Sequence, residues 1–278
     1  ADAKAATGTA TGASYAVFYG CKKLAEIVLP ERTTYIGSYA FDVSGTENEY
    51  SGQVSYSSSL TRVVIPDNVE TIGEYAFKYA ARLSEVVIGE NSKLTAIPGG
   101  MFYGCSSLTS FKVPASVTTI DTYAFDGCSQ LSEVVFAEGS ELTKIGNYAF
   151  RATAIASFAF PETSATKLTV GTDLFFGCKA LKSVHLSSDV TSVDNVFRGC
   201  ASIETVTVSE ENQNFTIEEN DNILYNKTKT AIRYIIGESS GVFVIPEGTT
   251  EISDRAFVGQ AGMTKVVIPS SIRSIGQY

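Results

Sequence analysis

LTRVVIPDNVETIGEYAF, residues 60–77, carries the pattern that decides the fold. Val63 and Ile65 lie two apart, the period of a short β-strand with one buried face. Pro66 ends that strand, because it has no N–H to give to a ladder. Val69, Ile72 and Gly73 follow, and Tyr75-Ala76-Phe77 closes the stretch. The pattern returns as LTSFKVPASVTTIDTYAF at residues 108–125, with Gly127-Cys128 behind it, and again through Met263, Val266, Ile268, Pro269, Ile272 and Ile275.

The closing phenylalanine recurs at Phe18, Phe41, Phe77, Phe102, Phe125, Phe150, Phe175, Phe197 and Phe257. A unit of about 23 residues therefore runs through the chain, lengthened after Phe41 and again after Phe197. One such unit cannot bury its own apolar face, so neighbours stack and share a continuous core. The spacing predicts an α/β-type repeat solenoid with one short strand per unit. About ten strands at ~4.8 Å would form a single parallel sheet on the order of 45 Å long. Irregular or short-helical turns are expected on the opposite side, where the glycine of Ala-Phe-x-Gly-Cys permits a tight reversal.

Residues 1–13, almost entirely Ala, Thr and Gly, read as a flexible lead-in. Residues 14–278 read as a single solenoid of about ten units with insertions at about 44–56 and 209–241. Tyr278 stops short of the next Ala-Phe, which leads us to expect a chain that continues or an end that pairs with something.

The 278 residues are 44% hydrophobic and 18% charged, enough apolar material for a core. A net charge of −9 excludes the basic footprint that nucleic acid or anionic lipid requires. No run of apolar residues is long enough to insert in a membrane, and the opening residues lack the basic start and apolar centre of a signal peptide. With one histidine, His185, chemistry built on several histidines is excluded by count.

The sequence resembles the BspA-type family of bacterial leucine-rich repeats, also common in some protists, over roughly residues 12–278. Gly20-Cys21, Gly104-Cys105, Gly127-Cys128, Gly177-Cys178 and Gly199-Cys200 carry the resemblance, with Tyr39-Ala40-Phe41 and Tyr148-Ala149-Phe150. Residues 215–246 resemble a known variation in which 222–227 and 231–234 form a hairpin before Val244-Ile245-Pro246. Two departures touch local turn geometry: Arg151-Ala152-Thr153 stands where Gly-Cys is expected, and Asp194-Asn195 replaces Gly-x-Tyr.

The five cysteines share one phase of the repeat and read as a structural ladder of small buried side chains. Disulfides between neighbouring units, Cys105 with Cys128 or Cys178 with Cys200, are the alternative, although stacking sets their Cβ vectors side by side and the count is odd. No Cys-x-x-Cys pair or companion histidine supports a metal site. His185 sits between two inward-facing residues and should point outward, as a surface residue or a ligand contact. No Gly-x-Ser-x-Gly elbow accompanies it, so no catalytic residue and no cofactor is assigned.

The outward strand positions form the candidate ligand-binding face: Val28, Arg62, Val64, Glu85, Val87, Lys112, Glu133, Val135, His185 and Thr207. Glu26, Arg62 and Glu85 should alternate in sign side by side, a supporting arrangement in itself, while the valines would form a shallow apolar strip. Insertions are the other place where repeat proteins carry function. Ser44–Tyr56 holds Glu47, Glu49 and Tyr50, and Glu210–Asn222 is acidic and amide-rich, a composition that suits Ca²⁺ but lacks EF-hand spacing. Asn214-Phe215-Thr216 and Asn226-Lys227-Thr228 match the glycosylation sequon.

The resemblance implies an extracellular or cell-surface binding scaffold, adhesin-like, whose partner is a protein or a host or matrix component, with a glycan as another candidate. An architectural spacer is the alternative from a different class, and an enzyme is the least supported.

Overall fold

The computed structural model describes residues 17–18, 21, 23–42, 59–163, 167–200, 202–218 and 222–278. The expected lead-in at 1–13 and the insertion at about 44–56 lie outside these residues, as do 219–221 of the acidic stretch.

From Glu26 to Val170 each coil contributes two strands, not the single strand expected, while the Ser183–Leu186 coil has only the isolated bridge from Val190 to Leu168 in place of a second strand. The first wall is built from Glu26–Val28, Arg62–Ile65 and Glu85–Ile88, then Ser110–Val113 and Glu133–Phe136, then Ser157–Ala159, Ser183–Leu186 and Thr205–Val208. Within each block the strands are parallel and in register, so Val63 lies against Val86 and Ile65 against Ile88. The second wall comes from the Val-x-x-Ile segment, whose strands are only two residues long. Tyr35–Ile36 pairs with Thr71–Ile72, and Ala96–Ile97, Thr119–Ile120, Lys144–Ile145 and Thr169–Val170 form one ladder. Ile72, Ile97, Ile120 and Ile145 point into the core while Thr71, Ala96, Thr119 and Lys144 face out.

The expected single long sheet is thus replaced by short blocks, and the interruptions are staggered. The first wall breaks between Glu85–Ile88 and Ser110–Val113 and again between Glu133–Phe136 and Ser157–Ala159; the second wall is continuous across both places. The second wall breaks after Thr71–Ile72, where the first is continuous.

There is no helix among the described residues, which corrects the α/β and short-helical expectation. The backbone gives the reason. Two positions flanking each phenylalanine are left-handed: Tyr39, Tyr75, Tyr123 and Tyr148 two residues before it, with φ of 56–61°, and Gly104, Gly127, Gly177 and Gly199 two residues after it, with φ of 72–77°. A left-handed residue on either side limits the segment to one tight turn. The two irregular units keep this geometry, since Ala152 has φ 55° and Asn195 φ 57°.

The turns also bond from coil to coil. The N–H of Phe41, Phe77, Phe102, Phe125 and Phe150 donates to the carbonyls of Ala76, Met101, Ala124, Ala149 and Leu174 at 2.8–3.1 Å. Inside, six successive ring pairs from Phe18 to Phe175 stack at 5.1–6.1 Å between centroids. Offset stacking is favourable, and these rings fill the space between the walls. The thiols of Cys105, Cys128, Cys178 and Cys200 donate to the carbonyls of Phe77, Phe102, Phe150 and Phe175 in the preceding coil, at 3.0–3.2 Å. These four are buried and free, whereas Cys21 is free and exposed, outside the buried ladder. Thr153 takes the place of a cysteine, donating to Phe150 O at 3.0 Å and contacting Cys178 Sγ at 3.2 Å.

After Thr205–Val208 the architecture changes. Phe215–Ile217, Ile223–Asn226 and Ala231–Ile235 are joined antiparallel, with a bulge at Leu224/Tyr225. Ala231–Ile235 then pairs in parallel with Glu251–Ile252, which pairs with Ser274–Ile275, so the hairpin edge restarts the second wall. Beneath it lies a separate small core of Ile223, Tyr225, Ile232, Ile235, Ile245, Ile252 and Ala256. Asn212 closes the regular array. It is fully buried; its Nδ2 donates to Ser187 O and Val190 O at 2.7 and 3.1 Å, and its Oδ1 accepts from the N–H groups of Asn214 and Phe215.

Candidate protein-binding face

On a strand with alternate residues buried, the residue between two core positions must face solvent. The register places Glu26, Arg62 and Glu85 in one row and Val28, Val64 and Val87 in the next. Arg62 Nε donates to Glu85 Oε2 at 3.0 Å, with both side chains about half exposed, at 42% and 55%. An exposed pair of this kind contributes about 0.2–1 kcal/mol. Val28 is 82% exposed, while Val64 and Val87 are partly covered by their neighbours.

The second block sets Ser110 beside Glu133 and Lys112 beside Val135, which is 45% exposed. Lys112 Nζ lies 3.4 Å from Glu90 Oε1, a residue of the preceding loop. The third block sets Ala159, His185 and Thr207 side by side. His185 is half-buried, more enclosed than an outward residue was expected to be, and its Nδ1 lies 2.8 Å from Thr207 Oγ1. Lys182 and Glu204 pair nearby at 2.9 Å.

The ten candidate positions are therefore divided five, three and two: a block of valines beside Arg62 and Glu85 at one end, a mixed middle and a small polar block beyond. They do not form one unbroken strip. A fourth block lies outside the ten candidate positions, although a strand was expected at Val244-Ile245-Pro246 and a repeat unit through Met263, Val266 and Ile268. Ser240–Val244 pairs in parallel with Gly262–Val267 and exposes Val242 and Val244 at 58% and 61%.

The edge formed by the turns differs in chemistry. Half-exposed tyrosines stack there, Tyr39 on Tyr75 and Tyr123 on Tyr148, both at 5.2 Å. Arg151 lies over the second pair at 5.8 and 5.6 Å, and Lys78 lies 5.1–5.9 Å from Tyr39, Tyr75 and Tyr79. Arg151 also donates from Nε to Asp126 Oδ1 at 2.8 Å. Burial nonetheless raises the Asp126 carboxyl, outweighing that arginine. These ring faces are occupied by neighbours, so the edge offers little free aromatic surface. Among the described residues no helix is long and apolar enough to cross a membrane.

Structures of similar fold include the pneumococcal vaccine antigen PcpA, at 22% identity and a TM-score of 0.59 over 91% of this chain and 57% of that one. A leucine-rich repeat protein from Bacteroides ovatus aligns at 24% identity and a TM-score of 0.53, over 95% and 77%. A leucine rich cell surface protein from Faecalibacterium prausnitzii aligns at 24% and 0.54, over 90% and 65%. The chain thus spans little more than half the length of the pneumococcal antigen. A search of curated proteins found no match. The family profile described as BspA type leucine rich repeat region (6 copies) matches residues 9–51, 48–169, 164–235 and 237–278, nearly the whole sequence. Two walls of parallel strands, a phenylalanine column and a recurring Gly-Cys turn are the physical form of that profile, and the chain belongs to the BspA-type leucine-rich repeat family.

Proposed function

We propose that this chain is a cell-surface or secreted scaffold that binds a partner protein through the outward face of its first wall. The observation that supports the reading is the in-register row Val28, Val64 and Val87, apolar side chains turned to solvent beside the charged row Glu26, Arg62 and Glu85. Contiguous exposed apolar surface rimmed by charge marks interaction sites. Lys112 and Val135 extend the face, and Glu133, His185 and Thr207 supply its polar part. The adhesin-like role, the extracellular location and a host or matrix partner are parts of the same proposal, as is the absence of catalysis.

The test is a binding screen of the immobilised chain against extracellular proteins and glycans, followed by Val87→Glu and Val135→Glu. We expect a reproducible protein ligand whose affinity falls at least tenfold in either variant, with the circular dichroism unchanged. Absence of a ligand in every class, together with a longer natural chain carrying other domains, would favour the spacer instead.

A further inference from the structure

The outward face of the first wall is bordered differently on its two sides. The register that sets Val28, Val64 and Val87 in one row leads, three residues on and past the end of each strand, to Glu31, Asp67 and Glu90. In the second block the same step leads from Val135 to Glu138 and from Lys112 to the neutral Ala115. Hydrogen bonds hold these loops against one another. Asn68 Nδ2 donates to Glu31 O at 2.9 Å, the Lys93 N–H to Asp67 O at 3.0 Å and the Glu141 N–H to Ala115 O at 3.1 Å. The Asp67 carboxylate occupies the space that a side chain at Gly89 would need.

Four carboxylates therefore line the loop side of the valine row. Glu31, Glu90 and Glu138 are exposed, the Glu90 side chain at 87%. Two lysines reach this border: Lys112 Nζ pairs with Glu90 at 3.4 Å, and Lys93 turns its Nζ to the amide oxygen of Asn68 at 3.0 Å. The border keeps an excess of negative charge. The opposite border is mixed, with Glu26, Glu85 and Glu133 beside Arg62, and with Lys23 and Arg82 three residues before Glu26 and Glu85. The second wall carries no such border on its strands, where Thr71, Ala96 and Thr119 face out beside Lys144.

Burying apolar surface supplies the affinity of a contact, while the charges around it select the partner: opposite sign speeds the encounter and like sign opposes it. Nucleic acid, anionic lipid and acidic glycans share the sign of the loop border and are turned away by it. We infer that the partner of this face is a basic protein segment whose aliphatic side chains cover the valine row and whose lysine or arginine side chains meet Glu31, Glu90 and Glu138. The inference rests on the reading of the sheet face as the binding surface, and adds to it the charge and chemical class of what is bound.

Fluorescence anisotropy with the whole chain and a labelled peptide of four Lys-Val repeats tests it, with Glu-Val and Lys-Ser peptides of the same length as comparators. The Lys-Val peptide should bind at least tenfold more tightly than either. Joint replacement by Glu31→Gln, Glu90→Gln and Glu138→Gln should weaken it at least tenfold with the circular dichroism unchanged. Glu70→Gln with Glu74→Gln, beside the second wall, should leave it as it was. Raising the salt from about 0.1 to about 1 M shortens the screening length from ~10 to ~3 Å, so binding should weaken there too. Val28→Ser with Val135→Ser removes apolar surface without changing charge and should also weaken binding, which separates the two readings. Equal binding of the Lys-Val and Glu-Val peptides, lost in the serine variant, overturns the basic partner and leaves the face as the binding surface. No binding of the Lys-Val peptide, binding matched by Lys-Ser, or binding indifferent to the three loop carboxylates likewise overturns it; indifference to the valines as well removes the face.

Discussion

Exchanging glycine and alanine between two coils isolates the left-handed backbone from every other contribution. Ala152 and Gly177 stand two residues after Phe150 and Phe175, with φ of 55° and 77°. A Cβ at Gly177 would meet nothing within 4 Å, and Ala152 is exposed, so neither exchange alters packing. The left-handed region costs an L-residue about 1–2 kcal/mol, and the greater freedom of glycine in the unfolded chain offsets about 0.4–1 kcal/mol of that. Ala152→Gly should therefore stabilise by about 0.5–1 kcal/mol, and Gly177→Ala should destabilise by a similar amount. Gly104→Ala should cost more, because its Cβ would lie 2.5 Å from the Tyr79 ring as well. Urea unfolding with linear extrapolation reads all three, provided m is unchanged. If Ala152→Gly lowers stability, or Gly177→Ala is neutral, the turn is not left-handed at this position and the account of why no helix forms there fails.

Of the five thiols, only Cys21 should react rapidly with an aromatic disulfide reagent, with the other four released on unfolding; rapid reaction of two or more would contradict the buried ladder. Burial pushes the Cys200 thiol up to about 12 from 9.0, so the folded chain keeps a proton that the unfolded chain releases. The resulting stability is fully present below pH 9 and is lost as pH rises toward 12, by about 1.4 kcal/mol already at pH 10. The stability gap between wild type and Cys200→Ala should narrow by that amount between pH 7 and pH 10, and a pH-independent gap would contradict it. Asn212→Ala strands two carbonyls and two N–H groups and should cost about 2–4 kcal/mol; wild-type stability in urea would remove Asn212 from the closure of the array.

The repeat, the core phenylalanines and the direction of the outward residues were legible because they follow from local period: Val63 and Ile65 alternate, and Phe77 returns in each unit. The second wall was not, since a two-residue strand such as Thr71–Ile72 has too little alternation to register and exists only because Tyr35–Ile36 lies beside it. The turn was read as irregular or short-helical from its glycine, when the decisive residues included tyrosines in a conformation that composition does not announce. The proposed binding face was read position by position, but its division into blocks depends on which neighbouring coils pair, a property of backbone spacing between units. Further still from view is the cleft lined by Arg198, Arg233 and Arg255, since these residues meet only after the hairpin has been placed.

The staggered walls have a mechanical consequence for a chain proposed to work at a cell surface. A tear running across the coil between Ile88 and Ser110, where the first ladder lapses, meets the paired strands Ala96–Ile97 and Thr119–Ile120. Between Phe136 and Ser157 it meets Lys144–Ile145 and Thr169–Val170. The turn edge stays bonded throughout, from Phe41 to Leu174. Like offset courses of masonry, the described coils from Glu26 to Val170 have no seam along which neighbours could part by breaking one set of bonds, so a pulling force on the axis of that stretch is shared among the walls.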